Sequence, residues 1–505
     1  MKYEQVFELV SQLERTLPVG DWRLHGVQVW PLVRGRLAFS AFDAAVGDGS
    51  VPQGAARRIA GRLVRMARAS GALAGDVLRG ARPGVAADVL IATDGISTVR
   101  AEGCVFDTLG DPLRELAQRV GRARVATWYL TYACPRPRRT RGTLLQWRLD
   151  ATQAAGLLAR RAPQPQEALA GYADFLAQVR AAGLPDAAVA QATMARLARR
   201  VALMSRRMEA WLRRARPRLV LINCYYSPEG AALVSACRRL GILCADVQHG
   251  VQGAQHIAYG RWSHVPPGGW ELLPDRFWCW SDAEVEAIEA WASRAAGRPH
   301  AAIAGGNPWL AMWQDGRWPL VEQSDRAMRE LAPPGTRAAV VTLQWGMADE
   351  VFLRPVLALA AQAGAGWSWI LRLHPVMRAD APRIEALVQS LGLRGVSVDD
   401  STRFALPGLL RRADVHLTHN SSAVLEAAAM GVASVVGAAD AGSVYPHLER
   451  TGDVRVVPGL QGAQALAALA EMADRRRDPD ASASGSCERA MSTLLAQAAA
   501  RKRED

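Results

Sequence analysis

Lysine is almost absent from this chain. Lys2 and Lys502 are the only lysines among 505 residues, so arginine carries nearly all of the net charge of +13. An arginine-rich, alanine-rich, lysine-poor composition is typical of a high-GC genome. The chain has no zinc-finger spacing, no RNA-binding aromatic motif and no basic run interleaved with aromatic residues. We therefore expect no nucleic-acid partner, and the charge favours an acidic partner such as a nucleotide sugar, an anionic glycan or an anionic membrane face.

Cysteine is scarce and unpatterned. The seven cysteines form an odd, scattered set without a CxxC pair, at positions 104, 134, 224, 237, 244, 279 and 487. That distribution predicts a reducing compartment, with neither a disulfide framework nor a zinc site.

Long uninterrupted apolar runs are also missing. The first eight residues contain Glu4 and Glu8 where a signal peptide needs an apolar run. The charge-free stretch 355–371 is interrupted by Gln362 and Gly364, so it predicts a buried helix and a strand rather than a membrane span. We expect a cytoplasmic protein with peripheral contact at the anionic face of the inner membrane.

Alternating strand and helix patterns run through both halves of the chain. Half of the residues are apolar, 22% are charged, and the length suits two domains. The alternation predicts an α/β fold of two Rossmann-like, doubly wound domains facing a cleft, the GT-B architecture. A helical amino-terminal segment to residue 80 and a helical insertion at 150–215 are expected additions.

The predicted domain boundaries follow from the best hinge in the sequence, at Gly305-Gly-Asn-Pro308. Residues 1–305 are predicted as an acceptor-side Rossmann-like domain with helical additions. Residues 306–474 are predicted as the nucleotide-sugar-binding domain, and 475–505 as a charged tail or helix.

The stretch 413–437 has the strongest functional pattern. A strand at 415–418 and a helix at 423–430 are joined by a polar turn of His419, Asn420, Ser421 and Ser422. We predict Asn420 or Ser421 as the helix N-cap and Gly431 as the left-handed residue that ends the helix. Such a turn presents N–H groups and hydroxyls to a phosphate, although a plain helix cap has the same sequence. Glu426, about one turn further on, could accept hydrogen bonds from a ribose diol.

Two other strands of the second half end in polar residues. The strand that begins at Trp367 ends in Arg372, His374 and Pro375. The strand that begins at Arg337 has Gln344 at its end. Ligands of open α/β sheets bind beyond the carboxyl ends of the strands. We therefore expect these residues and the 413–437 turn to converge on one anion.

The first half offers two candidate bases at strand ends. Asp94 follows a strand that begins at Asp88, in a Thr-Asp-Gly sequence that is also ordinary turn chemistry. His249 follows the strand 242–247. Either residue could deprotonate an acceptor hydroxyl, or, in a retaining reaction, Asp94 or Asp246 could be a covalent nucleophile.

Taken together, four short motifs resemble bacterial surface-polysaccharide glycosyltransferases of GT-B type: Gln248-His-Gly250, Gly306-Asn-Pro-Trp309, Arg372-Leu-His-Pro375 and Ser421-Ser-x-x-x-Glu426. The His-Pro and Ser-Ser motifs are similar to those of polysialyltransferases and of capsule or lipopolysaccharide Kdo transferases, which use CMP-activated ulosonic acids. Teichoic-acid glycerophosphotransferases, which use CDP-glycerol, have a similar set. The resemblance implies a metal-independent transferase that acts on a surface glycan or lipid-linked acceptor, with the nucleotide-sugar donor as co-substrate and no other cofactor.

The resemblance also implies residue roles. His374 and Pro375 would contact CMP, Ser421 and Ser422 would bind its phosphate, and Glu426 would lie near the ribose. Polysialyltransferases have their general base in an acidic-acidic-Gly motif, of which this chain keeps one acid, Asp94, so His249 competes for the role. Other activities compatible with the motifs are a CDP-glycerol-type glycerophosphotransferase, a UDP- or GDP-sugar transferase, a sugar-nucleotide epimerase and a non-catalytic nucleotide-sugar-binding protein.

Overall fold

The computed structural model describes residues 3–46, 82–95, 97–132, 137–158, 167–316, 318–401, 403–439, 441–479 and 483–504. The chain divides into two compact units. The first comprises Met1–Thr98, Phe106–Gly306 and Ser486–Asp505, and the second comprises Val99–Val105 and Asn307–Gly485. The predicted helices between residues 47 and 80 lie outside the described residues.

The first unit is built on a seven-stranded parallel sheet. In chain order up to Gly306, the strands are β1 Arg23–Leu24, β2 Val27–Gln28, β3 Val89–Thr93, β4 Thr98–Ala101, β5 Cys104–Asp107, β6 Val125–Tyr129, β7 Thr143–Leu144, β8 Leu219–Ile222, β9 Leu243–Val247, β10 Arg276–Cys279 and β11 Ala301–Ala304. Strands β4 and β5 form a separate two-stranded sheet, and their residues Val99–Val105 belong to the second unit. The sheet order is β7-β6-β3-β8-β9-β10-β11, and every pair in it is parallel. Strand β3 is buried at all five positions, as expected for a parallel strand covered on both faces.

Helices cover this sheet. Some of them precede its first strand in the sequence, and others lie between its strands. They are α1 Tyr3–Thr16, α2 Trp30–Val46, α3 Gly110–Gly121, α4 Gln146–Leu158, α5 Tyr172–Ala181, α6 Gln191–Ala215, α7 Pro228–Arg239 and α8 Asp282–Ala292. Helix α6 buries Met194, Ala198 and Val201 at intervals of three and four, which explains why this long segment is helical. Helix α7 begins after Ser227, whose Oγ accepts the N–H of Gly230 at 2.9 Å.

A buried ion pair holds the helices α1 and α2 together and against the rest of the first unit. The Arg34 guanidinium pairs with Glu14, and its Nε donates to the carbonyl of Ile257 at 2.8 Å. The Trp30 indole N–H also donates to Glu14, at 2.9 Å. Because Arg34 and Glu14 are both buried, their mutual hydrogen bonds offset the cost of removing two charges from water.

The second unit has a six-stranded parallel sheet. Its strands are β12 Arg337–Thr342, β13 Trp367–Arg372, β14 Val396–Asp399, β15 Val415–Thr418, β16 Ser434–Val436 and β17 Val454–Val456, in the order β14-β13-β12-β15-β16-β17. Its helices are α9 Pro308–Gln314, α10 Val321–Leu331, α11 Leu353–Ala363, α12 Ala381–Ser390, α13 Leu406–Leu410, α14 Ala423–Ala429, α15 Ala441–Val444, α16 Pro446–Thr451 and α17 Gly462–Ala473. The last helix of the chain is α18 Ala483–Glu504.

These two sheets confirm the predicted α/β class of two Rossmann-like units with helical additions. The charge-free stretch 355–371 forms most of α11 and the first part of β13, as predicted. Within the described residues, no helix is both long enough and apolar enough to cross a bilayer.

Candidate functional site

The second sheet has a topological switch point between β12 and β15. These strands are neighbours, although the chain leaves β12 towards β13 on its other side. Loops diverge at such a point, and the crevice that they leave at the carboxyl ends is where ligands of these sheets bind. Gln344 follows β12 and Asn420 follows β15, and the Gln344 Oε1 accepts the backbone N–H of Asn420 at 2.8 Å. That hydrogen bond joins the two loops across the switch point.

The turn after β15 caps α14 through Ser421. Ser422 directly precedes α14, but its angles are nearly helical, φ −58° and ψ −13°, and its side chain makes no cap. Ser421 Oγ accepts the N–H of Ala423 at 3.3 Å, the bond that an N-cap side chain makes to the second residue after it. Of the two predicted N-caps, Asn420 and Ser421, the geometry therefore agrees with Ser421, whereas the N–H of Asn420 is bonded to Gln344. Gly431 has φ +73° just after α14, as predicted.

This turn leaves several polar groups available. Among the described residues, no hydrogen bond involves the N–H groups of Ser421 and Ser422 or the exposed Ser422 hydroxyl. The buried Oδ1 of Asn420 also has no partner in this part of the chain. Helix α14 has only seven residues, so an anion here would be held mainly by these local donors rather than by a long helix dipole.

Arg372, at the end of β13, is already paired. Its Nη1 forms an ion pair with Asp399 and donates to the carbonyl of Phe404 at 2.5 Å. The side chain is 12% exposed. Arg372 therefore fixes the loops after β13 and β14 and contributes positive charge to the site rather than a fully free guanidinium.

His374 is oriented by its own backbone turn. It precedes the short 3₁₀ helix Pro375–Asp380, and its Nδ1 accepts the N–H of Val376 at 3.3 Å. In the neutral ring this bond assigns the proton to Nε2. Burial lowers the pKa of His374, so near pH 7 the ring is a neutral Nε2–H donor. Pro375 itself is exposed.

Glu426 is a half-buried carboxyl beside Arg372. Burial raises its pKa to about 7, and the charge of Arg372 opposes that rise. Within the described residues, Glu426 has no side-chain hydrogen-bond partner. A carboxyl of this kind can accept hydrogen bonds from a bound diol without first breaking an internal bond.

One ring contact and one exposed indole complete the surroundings of this site. The His419 ring packs edge-on against Phe352, with centroids 6.0 Å apart. Trp345, directly after Gln344, is 64% exposed. Trp345 was not among the predicted site residues, although its place at a strand end beside Gln344 was an available signal.

The first sheet has the same kind of switch point, between β3 and β8. Ala92 pairs with Ile222 and Ile222 with Asp246, so the next residue of each strand lies at a common edge. Asp94 follows β3, and Asn223 follows β8. Asn223 is 4% exposed and its Nδ2 has no partner in the described structure. Sequence reasoning missed Asn223 because it reads as one more residue of its strand.

His249 lies within the electrostatic influence of Asp94. Its Nε2 is 3.3 Å from the Tyr226 hydroxyl, and the two rings stack at 6.0 Å with an interplanar angle of 27°. Its Nδ1 is buried and faces the carbonyl of Val247 without a well-aligned hydrogen bond. Burial lowers the pKa of His249, while the Asp94 carboxylate opposes that shift. The structure therefore brings the two predicted bases together, and a neutral imidazole can accept a proton.

Asp107 is a second acid near Asp94, and its sequence pattern did not single it out. Its Oδ1 accepts the N–H groups of Leu109 and Gly110, both at 3.0 Å, whereas its buried Oδ2 has no partner in the described residues. Burial raises the pKa of Asp107 to about 7, and the charges of Asp111 and Asp94 add to the rise.

Asp246 does not suit the role of covalent nucleophile. It is fully buried in β9 and accepts the N–H of Tyr225 at 3.0 Å and the hydroxyl of Tyr259 at 2.8 Å. Burial raises its pKa to about 7. Both oxygens are engaged in packing the strand ends, so a substrate carbon has no access to them.

Among the described residues, no group of three or more His, Cys, Asp or Glu side chains is arranged to hold a metal ion. The chemistry that the two strand-end sites offer consists of neutral donors, a paired arginine, two carboxyls with raised pKa values and a neutral histidine. That set suits binding of a phosphorylated ligand in the second unit and proton transfer in the first.

No family model and no curated protein matches this chain. Among solved structures, a UDP-GlcNAc 2-epimerase from Neisseria meningitidis bound to UDP-GlcNAc is similar at 13% identity and a TM-score of 0.49, covering 81% of this chain and 99% of that one. A UDP-GlcNAc 2-epimerase from Methanocaldococcus jannaschii is 10% identical with a TM-score of 0.48, covering 82% and 99%. The glycotransferase of kitacinnamycin is 14% identical with a TM-score of 0.42, covering 83% and 99%.

Proposed function

We propose that this protein is a glycosyltransferase whose nucleotide-sugar donor binds at the switch point of the second sheet. The observation that carries the proposal is the Gln344–Asn420 hydrogen bond, which joins the loops after β12 and β15. Neighbouring strands lie about 4.8 Å apart, so the ends of β13 and β15 are about 10 Å apart. A nucleoside with its phosphate spans such a gap, from the Nε2–H of His374 to the free donors of Ser421 and Ser422.

The donor is a CMP-activated ulosonic acid such as Kdo or sialic acid. The His-Pro and Ser-Ser motifs support this choice, because they are similar to those of transferases that use such donors. His374 and Pro375 contact the cytidine, Ser421 and Ser422 bind the phosphate, and Glu426 accepts the ribose hydroxyls. The acceptor is a hydroxyl of a surface glycan or of a lipid-linked glycan.

In the transfer step, the acceptor oxygen forms a bond to the anomeric carbon while the bond from that carbon to the phosphate oxygen breaks. The negative charge that appears on the departing CMP is stabilised by the serine donors and by the nearby Arg372. The acceptor proton passes to His249 or Asp94. His249 is the better base of the two, because it is neutral near pH 7 and Asp94 stabilises the imidazolium that forms.

A thermal-shift panel of CMP, CDP, UDP, GDP and dTDP tests the donor assignment. A ligand at 100 times its Kd stabilises a protein by about 2.7 kcal/mol, which is readily seen. We expect CMP to give the largest shift. A larger shift with CDP would favour the CDP-glycerol alternative, and one with UDP, GDP or dTDP would overturn the ulosonic-acid donor. No shift with any nucleotide would overturn the binding site itself.

The acceptor requirement distinguishes a transferase from an epimerase and from a binding protein. We expect CMP release from the donor to rise at least tenfold when a glycan acceptor is added. Conversion of the donor without an acceptor would support an epimerase. Binding without turnover, unchanged by Asp94→Asn together with His249→Ala, would support a non-catalytic protein.

A further inference from the structure

The first unit contains an arginine-lined cavity away from the residues discussed so far. Its volume is about 670 Å³, and it lies beside β6. Four arginines line it, and none of its described lining residues is acidic; the arginines are Arg82, Arg114, Arg138 and Arg141. We call this feature the arginine cavity.

The arginine cavity runs along an open strand edge. Strand β7 pairs with β6 only at Trp128 and Tyr129, so in the described structure 125–127 has no strand partner on this side. The segment before β3 forms another wall and is held by the Trp128 indole N–H, which donates to the carbonyl of Pro83 at 3.2 Å. The cavity thus runs beside β6 from Val125, which pairs with Val89 at the amino end of β3, to Trp128, which pairs with Ala92, whereas Asp94 follows the carboxyl end of β3.

Three arginines of the cavity are not paired with a carboxylate. Among the described residues, Arg82, Arg114 and Arg141 form no ion pair. Arg114 donates to the carbonyl of Val125 at 2.8 Å, and the Arg138 guanidinium lies 4.4 Å from the centre of the Tyr129 ring. Several guanidinium groups around one cavity repel one another, and a bound anion would relieve that repulsion.

One acid that interacts with Arg114 is already engaged by the protein. The charge of Asp111 interacts with Arg114, but its Oδ2 accepts the N–H of Asp107 at 2.8 Å and its carboxyl also bonds to the Thr140 side chain. It is buried rather than directed as a counter-ion into the cavity. The positive charge of Arg82 and Arg141 therefore remains available to a ligand.

We propose that the arginine cavity binds a segment of an acidic glycan through carboxylate or phosphate groups on its sugars. Guanidinium groups bind both anions through paired hydrogen bonds, and Thr127 and Thr143 are further polar residues of the cavity lining. This binding does not depend on the proposed transfer reaction. It gives the protein a second contact with an acidic chain, separate from the strand ends.

The test uses isothermal titration of the full-length protein at low salt with hexagalacturonate, which carries carboxylates but no phosphate. A second titration uses inorganic pyrophosphate, and maltohexaose is the neutral control. The test variant is Arg82→Gln with Arg141→Gln, because both side chains are exposed and form no hydrogen bond in the described structure. The matched control is Arg122→Gln with Arg206→Gln, two exposed arginines of the same unit outside the cavity.

We expect hexagalacturonate to bind the wild type, at least tenfold weaker binding by the cavity variant and less than a twofold change in the control. Binding of maltohexaose, equal losses in the two double variants, or no binding of either anionic probe would overturn the proposal. If only pyrophosphate binding falls in the cavity variant, phosphate is the recognised group; if only hexagalacturonate binding falls, it is carboxylate. The nucleotide thermal shifts should be the same in both variants, so failure here leaves the proposed function standing.

Discussion

His374 has the most direct test among the single residues of the nucleotide site. Because its ring is fixed by the bond from Val376 N–H to Nδ1, His374→Ala removes an oriented donor without removing a core side chain. We expect CMP to bind at least tenfold more weakly, about 1.4 kcal/mol or more. Calorimetric titration measures this change. His447→Ala is the control, since His447 is a half-buried histidine of the same unit on α16. Equal affinities of wild type and His374→Ala would remove His374 from the site.

The pH profile of the transfer reaction shows whether Asp94 or His249 is the general base. Asp94 opposes the lowering of the His249 pKa, so Asp94→Asn should lower that pKa further. If His249 is the base, the rise of kcat/KM with pH moves to lower pH in Asp94→Asn, and His249→Ala loses at least about 100-fold in kcat. An Asp94→Asn enzyme without measurable transfer, next to an active His249→Ala enzyme, would assign the base to Asp94 instead.

Glu426 should make stability depend on pH. Burial raises its pKa to about 7, so between about pH 4.5 and 7 the unfolded chain loses this proton before the folded chain does. Stability conferred at low pH is therefore lost as pH rises through this window. In Glu426→Gln we expect the fall in unfolding free energy from pH 5 to pH 8 to be smaller by about 2 kcal/mol.

Urea unfolding at the two pH values measures the Glu426 effect. Glu385→Gln, an exposed carboxyl on α12, should leave the pH dependence of the wild type unchanged. A Glu426→Gln protein with the full wild-type dependence would show that this carboxyl titrates normally.

Single residues show which parts of the candidate sites could be predicted from the sequence and which could not. His249 and His374 were predictable because a strand followed by a polar turn puts its next residues at the sheet edge. The partnership of Arg372 with Asp399 was not, since it joins residues 27 positions apart through the order of the strands. Asn223 was missed for the same reason: only the register of β8 with its neighbours reveals a buried amide without a partner.

At the level of elements, the stability of α14 depends on the glycine that ends it. Gly431 has φ +73°, and a Cβ there would lie 2.3 Å from the carbonyl oxygen of Arg477. Gly431→Ala should therefore cost more than the approximately 1 kcal/mol of an ordinary left-handed glycine. Gly459→Ala isolates that ordinary cost, because its φ is +72° with ψ −2° and its Cβ would meet only the end of the Gln461 side chain, at 4.0 Å.

Denaturant unfolding of both glycine variants gives the comparison, and we expect Gly431→Ala to be the less stable by at least about 1 kcal/mol. The same helix shows a limit of local prediction. Its end was predictable because glycine suits the left-handed position, and Ser421, which caps its start, was one of the two predicted residues. The bond from the N–H of Asn420 to Gln344 was not predictable, because it joins the loops of two different strands. Equal stability of the two variants would show that the Arg477 carbonyl moves aside at little cost.

For the molecule as a whole, both sheets repeat one strand order. Numbered within each unit, six strands run 3-2-1-4-5-6, and the first unit adds a seventh at the edge. Alternating apolar strands and amphipathic helices were enough to predict this class, since parallel sheets need helices on both faces. The order itself, and hence which two strand ends form the switch point, is set by packing across the sheet and was not readable from the pattern.

The end of the chain belongs to the first unit. Helix α18 buries Met491 and Leu494, and its Arg501 pairs with Asp275 at 2.9 Å. Removing a fully buried leucine costs about 2–5 kcal/mol, so Leu494→Ala should destabilise the first unit by that amount. Ser492→Ala, on the exposed side of the same helix, is the control and should change little, because the Ser492 hydroxyl bonds only to the carbonyl of Glu488 one turn earlier.

Hydrogen exchange can show which unit loses stability in Leu494→Ala, because the slowest amides of each sheet report the opening of that unit. In Leu494→Ala we expect faster exchange in β3 and β8 and unchanged exchange in β12 and β15. Addition of CMP should slow exchange in β12 and β15 of the wild type and of the variant alike, since the nucleotide binds the folded second unit. Faster exchange in β12 and β15 equal to that in β3 and β8 would mean that the two units unfold as one, and that α18 supports both.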